Sequence, residues 1–80
     1  MSKPERGDLT LGERRVGINF NPSSNHSVDQ FKRLAADAID KLESMREDPE
    51  ATSETQRTIS RAQTFFEDAS VQAVKAHFIR

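Results

Sequence analysis

The fold of this chain is decided by the stretch Ser27-Val-Asp-Gln-Phe-Lys-Arg-Leu-Ala-Ala-Asp-Ala-Ile-Asp-Lys-Leu-Glu-Ser-Met45. Its apolar residues recur at alternating steps of three and four, which places them on one face of an α-helix. They are Val28, Phe31, Ala35, Ala38, Leu42 and Met45, with Leu34 and Ile39 beside them. Ser27 and Gln30 have the spacing of a capping box at a helix start. Because Pro49 cannot lie inside a helix, the pattern predicts a helix over residues 28–45.

A second helix follows with the same signals. Ser53 and Gln56 repeat the capping-box spacing, and the pattern predicts a helix over residues 54–77. Its apolar residues are Ile59, Ala62, Phe66, Ala69, Ala73 and Ala76, with Phe65, Val74 and Phe78 on a second side. Two helices joined by a short turn are expected to pack as an antiparallel hairpin. The second helix has more apolar surface than one partner covers, which predicts an oligomer.

The residues before the first helix are interpreted as a short extended arm over residues 14–26. Val16, Ile18 and Phe20 alternate with Gly17 and polar residues, which is the period of an extended segment with one apolar edge. The segment Asn21-Pro-Ser-Ser-Asn25 is a turn by composition. Whether the Phe20 ring lies in the core or faces a ligand stays open at this stage.

Length and composition allow one small domain. The 80 residues are 34% hydrophobic, with no Trp, Tyr or Cys, so one chain alone builds a thin core without disulfides. We expect a flexible start over residues 1–13 and one all-α domain over residues 14–80. No apolar run approaches the length of a membrane span or a signal peptide, so a cytoplasmic location is expected.

The charge is unevenly distributed along the chain. The net charge is −1, which argues against a general binder of DNA or RNA. Residues 34–55 carry a net −5, and the segments 1–33 and 56–80 carry +2 each. If the acidic middle is the turn of a hairpin, the open end attracts a small anion. The basic residues of that end are Lys32, Arg33, Lys75 and Arg80. The alternative is ordinary solvated surface charge.

The densest group of ligand-binding side chains lies between Arg14 and Leu34. Positive charge, an aromatic ring and hydrogen-bonding groups stand together there, as in sites for phosphorylated nucleotides. The positive charge comes from Arg14, Arg15, Lys32 and Arg33, and the aromatic ring is Phe20. The hydrogen-bonding groups belong to Asn19, Asn21, Ser23, Ser24 and Asn25. The same residues also fit a lead-in that packs onto a helix and caps it.

A second pair of cations lies on the second helix. Arg57 and Arg61 are four residues apart and project from one face, where they repel each other unless negative charge lies between them. They either form an anion site shared by several chains around an axis, or pair with Glu54 or with acids of the first helix.

Catalytic patterns are missing from the sequence. There is no cysteine nucleophile and no glycine-rich phosphate loop, and His26 and His77 are not spaced as metal ligands. We therefore expect a binding protein rather than an enzyme, with no metal and no cofactor.

Three segments resemble a phage protein family. They are Val16-Gly-Ile-Asn-Phe-Asn-Pro-Ser23, Val28-Asp-Gln-Phe-Lys32 and Glu67-Asp-Ala-Ser-Val-Gln-Ala-Val-Lys-Ala76. The family is the helical-hairpin domain shared by phage anti-CBASS type 2 proteins and Thoeris anti-defence type 1 proteins, where CBASS is cyclic-oligonucleotide-based antiphage signalling. The resemblance covers roughly residues 14–76.

The resemblance implies a sponge that sequesters the cyclic nucleotide messengers of bacterial immunity without cleaving them. Such a protein would be a homo-oligomer, commonly a hexamer, in the cytoplasm of the infected host, with no membrane and no nucleic-acid duplex as partner. Cyclic dinucleotides or cyclic ADP-ribose isomers would bind between the arm of one chain and a neighbour. Cyclic trinucleotides would bind near a three-fold axis.

The resemblance also implies which residues bind these ligands. For cyclic dinucleotides they are Arg15, Phe20, Asn21, Ser23 and Lys32, with Phe20 stacking on a base and Lys32 contacting a phosphate. For cyclic trinucleotides they are Arg57 and Arg61. The main alternative is a helical hairpin that binds a partner protein through the surplus face of the second helix and has no nucleotide ligand.

Overall fold

The computed structural model describes residues 8–20 and 26–79, and every regular element among them is an α-helix. The helices are α1 (Leu11–Val16), α2 (His26–Met45) and α3 (Ser53–Ile79). The all-α prediction is confirmed, and the two long helices lie within two residues of the predicted ranges 28–45 and 54–77. No helix in the described ranges is both long and apolar enough to cross a membrane.

Helix α1 covers residues 11–16, so the predicted extended arm is wrong over residues 14–16. The flexible start predicted for residues 1–13 stays a prediction, and residues 1–7 lie outside the described part of the chain. Thr10 and Glu13 form a reciprocal capping box: the Thr10 hydroxyl accepts from the Glu13 N–H, and the Glu13 carboxylate accepts from the Thr10 N–H, both at 3.0 Å. The helix ends at Gly17, which adopts a left-handed conformation with φ 63°. The apolar alternation from Val16 to Phe20 therefore spans a helix end and a turn.

The starts of the two long helices differ in detail from the predicted capping boxes. Helix α2 begins at His26 and α3 begins at Ser53, so the two serines predicted to precede the helices, Ser27 and Ser53, lie inside them. The cap of α3 is Thr52, whose hydroxyl accepts a 3.1 Å hydrogen bond from the Thr55 N–H. The predicted capping boxes are therefore wrong, although each helix begins within two residues of its predicted start.

Helix α1 packs directly on α2. The core between them consists of Val16, Ala35, Ala36 and Ile39, with Leu11 and Ile18 packed against it. Gly12 allows the two backbones to come close, and its N–H donates a 2.8 Å hydrogen bond to the Asp40 carboxylate. Arg33 adds a 2.9 Å ion pair from α2 to the buried Glu13 carboxylate.

Helices α2 and α3 are joined by a polar network as well as by apolar contact. Arg46 follows the end of α2 and donates to the Gln56 side chain at 2.9 Å and to the Ser60 hydroxyl at 2.8 Å. The Gln63 side chain is buried, and its Nε2 donates a 3.1 Å hydrogen bond to the Ile39 carbonyl. Residues later in α3 thus contact residues earlier in α2.

The described residues form a thin slab whose principal extents are 44 × 31 × 14 Å. Large apolar side chains of the long helices stay exposed, and Leu34 and Phe65 are 67% and 64% exposed. We call the following set the apolar face: Phe31, Leu34, Met45, Phe65 and Phe66. A contiguous exposed apolar patch usually marks an interaction site.

Candidate functional site

A groove of about 230 Å³ lies between the turn after α1 and the second half of α3. Its lining residues are Val16, Phe20, Lys32, Ser70, Val71, Val74 and Lys75, and we call it the Phe20 groove. These described residues combine two lysines, one aromatic ring, the Ser70 hydroxyl and apolar side chains, and none of them carries a carboxylate. Such a surface suits an anion that also carries a flat apolar group.

The turn that follows α1 positions the Phe20 ring. Gly17 reverses the chain at its left-handed position, and the Phe20 N–H donates a 2.9 Å hydrogen bond to the Gly17 carbonyl. The Ile18 N–H donates to the Glu13 carbonyl at 3.0 Å, which holds the turn against the helix. The Phe20 side chain is 64% exposed and lies outside the core cluster, so its ring is available to a ligand.

Lys32 lies beneath that turn. It is only 3% exposed, and its ammonium donates to the Gly17 carbonyl at 2.9 Å and also to the Phe20 carbonyl. The same nitrogen is 5.3 Å from the centroid of the Phe20 ring, within the range of a cation–π contact. Burial lowers the pKa of Lys32, and the charge of Asp29 partly opposes this shift. Lys32 is thus a buried support of the turn, whereas the resemblance implies that it contacts a phosphate.

The α3 wall of the groove consists of residues that lie on one side of that helix. Ser70 is buried and donates a 2.8 Å hydrogen bond to the Glu67 carbonyl, whereas Val71 and Lys75 are exposed. The sequence placed Lys75 among the basic residues of the open end but missed Ser70, Val71 and Val74. Their positions at 70, 71, 74 and 75 are the helical spacing that indicates a common side.

Of the other residues predicted for a cyclic dinucleotide site, the structure describes only Arg15, which does not line the groove. Arg15 joins α1 to α3 through a 2.7 Å ion pair with Glu67 and a 3.4 Å hydrogen bond to the Thr64 hydroxyl. Its guanidinium therefore has a structural partner and is not part of the lining. Asn21 and Ser23 lie outside the described residues.

Arg57 and Arg61 lie in the first half of α3, away from the Phe20 groove. Arg57 forms an exposed ion pair with Glu54, which is one of the two alternatives that the sequence left open. Arg61 is also exposed. At 1.5 Å per residue, Arg57 and Lys75 are about 27 Å apart along the helix axis, so a ligand in the groove does not contact both within one chain.

Among the described residues, the Phe20 groove is the feature that bears most directly on ligand binding. Within residues 8–20 and 26–79, no group of three or more His, Asp or Glu side chains is arranged to hold a metal ion. Comparisons with protein-family models, with curated proteins and with solved structures found no match. The proposed function therefore depends mainly on the chemistry of the groove.

Proposed function

We propose that this chain is a phage immune-evasion sponge that sequesters cyclic oligonucleotide second messengers without cleaving them and so blocks CBASS or Thoeris signalling. The observation that carries the proposal is the Phe20 groove, in which an exposed aromatic ring stands beside two lysines and none of the described lining residues has a carboxylate. The resemblance of residues 14–76 to the helical-hairpin family supports the same function.

The groove fits the chemistry of a cyclic dinucleotide. Such a ligand has flat bases and anionic phosphates, and stacking of one base on an aromatic side chain contributes about 1–3 kcal/mol. Lysine ammonium groups bind phosphate through charge-assisted hydrogen bonds. Val71 and Val74 add apolar contact beside the ring. A sponge needs affinity only, and these groups supply affinity.

The size of the groove supports an oligomeric sponge. A volume of about 230 Å³ is smaller than the roughly 300–1,000 Å³ usual for small-molecule sites. In this proposal one chain covers part of a cyclic dinucleotide, and a neighbouring copy supplies the rest of the wall. In this proposal α2 and α3 form an antiparallel hairpin, and copies assemble through the apolar face into a homo-oligomer, which the resemblance implies is a hexamer.

A second ligand class belongs to the same proposal. Arg57 and Arg61 are both exposed on α3, and the exposed ion pair of Arg57 with Glu54 costs little to break. If copies meet around a three-fold axis at this end, their guanidinium groups surround a cyclic trinucleotide. This site would be separate from the Phe20 groove.

Calorimetry with a panel of ligands tests the proposal. The panel holds cyclic dinucleotides, cyclic trinucleotides and cyclic ADP-ribose isomers, with linear dinucleotides as controls. We expect tight binding of at least one cyclic ligand and its release intact after heat denaturation, measured by chromatography. No heat with any member would refute the sponge, and linear products would identify an enzyme.

One observation favours a second candidate function. Leu34 and Phe65 are 67% and 64% exposed, and an apolar face of this kind also suits a different partner protein. In this alternative the chain is a helical interaction module without a nucleotide ligand. Sedimentation as a monomer at micromolar concentration, together with no cyclic nucleotide binding, would favour it.

A further inference from the structure

We infer that Lys75, rather than Lys32, makes the direct contact with the ligand's phosphate in the Phe20 groove, and that Lys32 is a positioning residue that holds the Phe20 ring. The inference rests on the proposed function and deepens it. The ligand class is a nucleotide phosphate whose base stacks on the outer face of Phe20.

The placement of Lys32 argues against direct phosphate contact. Its side chain is 3% exposed, and its ammonium is already bonded to the carbonyls of Gly17 and Phe20. If the ammonium turned towards a ligand, these carbonyls would lose a charged donor in a buried place, which costs free energy. The turn that presents the Phe20 ring would lose its support at the same time.

Lys75 has the opposite placement. It is exposed, it lines the α3 wall of the groove, and none of the ion pairs among the described residues involves it. Its ammonium ends a flexible stem and can reach an anion in the groove without breaking an ion pair to any described residue. The neighbouring lining residues Val71 and Val74 are apolar, and none of the described lining residues has a carboxylate that could pair with the Lys75 ammonium.

The Phe20 ring is positioned so that the two lysines serve different roles. The Lys32 ammonium lies 5.3 Å from the ring centroid, while the side chain remains 64% exposed. A base can therefore stack on the exposed side while Lys32 contacts the ring from within the protein. Lys75, across the groove, then receives the phosphate of the same nucleotide.

Three lysine-to-methionine variants test this division of roles. Methionine keeps most of the side-chain length and removes the charge. The probe is cyclic di-GMP or cyclic di-AMP, whichever the unmodified protein binds more tightly. We expect Lys75→Met to raise the Kd about 10- to 100-fold with an unchanged melting temperature. The exposed Lys41, outside the groove, is the control, and Lys41→Met should change neither quantity.

Stability and salt dependence separate phosphate contact from positioning. We expect Lys32→Met to lower the melting temperature, whereas Lys75→Met should not. Raising the salt concentration screens an exposed contact, so affinity should depend less on salt in Lys75→Met than in the unmodified protein. Lys75→Arg keeps the charge and should restore most of the affinity.

Each contrary outcome has a clear meaning. If the unmodified protein binds the probe and Lys75→Met binds it equally well, the inference is overturned and the sponge stands. If Lys32→Met keeps the melting temperature but loses the salt-sensitive binding, Lys32 is the phosphate contact and the inference is overturned. If the unmodified protein binds no cyclic nucleotide, the proposed function fails and the inference fails with it.

Discussion

Gly12 lies so close to α2 that a Cβ atom on residue 12 would come within 2.1 Å of the Ala36 carbonyl oxygen. The obstacle is backbone, which cannot move aside as the end of a flexible side chain can. The same approach lets the Gly12 N–H donate to Asp40 at 2.8 Å. The contact between α1 and α2 therefore depends on the absence of a side chain at residue 12.

Gly12→Ala should destabilise the protein. Alanine favours a helix over glycine by about 1 kcal/mol, but the clash with Ala36 and the strained Asp40 hydrogen bond should outweigh this gain. We expect a net loss of about 1–3 kcal/mol in the free energy of unfolding, measured by urea denaturation. Gln72→Ala, at an exposed position of α3, is the control and should change it by less than about 0.5 kcal/mol. An unchanged or higher midpoint for Gly12→Ala would contradict the close approach.

The two long helices could be predicted from sequence because their signals are local. Apolar residues recur at helical steps over the whole of α2 and α3, and Pro49 separates the two. Helix α1 has six residues, too few for a periodic apolar stripe, and it contains Gly12. Its local signals are the spacing of Thr10 and Glu13, which matches a capping box, and Gly17 after its last residue.

The candidate site was predictable in its residue types and not in its geometry. The sequence pointed to Phe20 and Lys32 as an aromatic ring and a cation in one ligand-binding stretch, and separately to Lys75 as one of the cations of the open end. Lys32 turns inward because its ammonium binds the carbonyl of Gly17 at the end of α1. The end of α1 is held at that place because α1 packs against α2. Contacts between segments distant in sequence have no period or local motif, so residue spacing alone does not indicate them.

Arg46 is expected to be the most important surface cation for stability. It donates to Glu43, Gln56 and Ser60, and also to Oε1 of the buried Gln63 at 2.8 Å. Arg46→Met removes these bonds and leaves a buried amide oxygen without its charged donor, which should cost about 1–3 kcal/mol in urea denaturation. The matched control is Arg57→Met, because the exposed pair of Arg57 with Glu54 should contribute less than about 1 kcal/mol. Equal effects of the two variants would contradict this ranking.

Acid should weaken the junction between α2 and α3 through Glu43. Hydrogen bonds from Gln63 and then from Arg46 lower the pKa of Glu43 below its ordinary value of 4.5. A carboxyl whose pKa is lower in the folded state stabilises the fold above pH 4.5, and this contribution is lost as the pH falls through the lowered pKa. The urea midpoint should therefore fall less between pH 6 and pH 3 in Glu43→Gln than in the unmodified protein. Identical pH dependence in the two proteins would show that Glu43 does not contribute.

Charge on the apolar face should prevent self-association. Leu34 and Phe65 are largely exposed in the single chain, so Leu34→Glu and Phe65→Glu should leave each chain folded, as judged by circular dichroism. If copies pack through this face, each variant buries an unpaired carboxylate at the interface and should shift sedimentation velocity towards the monomer. Gln72→Glu adds the same charge at an exposed polar position and should keep the parent's sedimentation. Unchanged assembly in both face variants would exclude this face as the interface.

Replacing Phe20 should weaken cyclic dinucleotide binding without unfolding the site. The Lys32 ammonium bonds to the Phe20 carbonyl, which Phe20→Ala retains, so the turn should persist. The lost ring removes the stacking surface, and the affinity should fall by about 1–3 kcal/mol for one base, measured by calorimetry. Phe78 is 58% exposed and is not among the groove lining, so Phe78→Ala is the matched control and should keep the parent's affinity.

Phe20→Leu keeps apolar contact but has no flat ring, so it should resemble Phe20→Ala if stacking dominates. Parent affinity in Phe20→Leu would mean that residue 20 contributes apolar area only, and parent affinity in Phe20→Ala would remove the groove from the binding site.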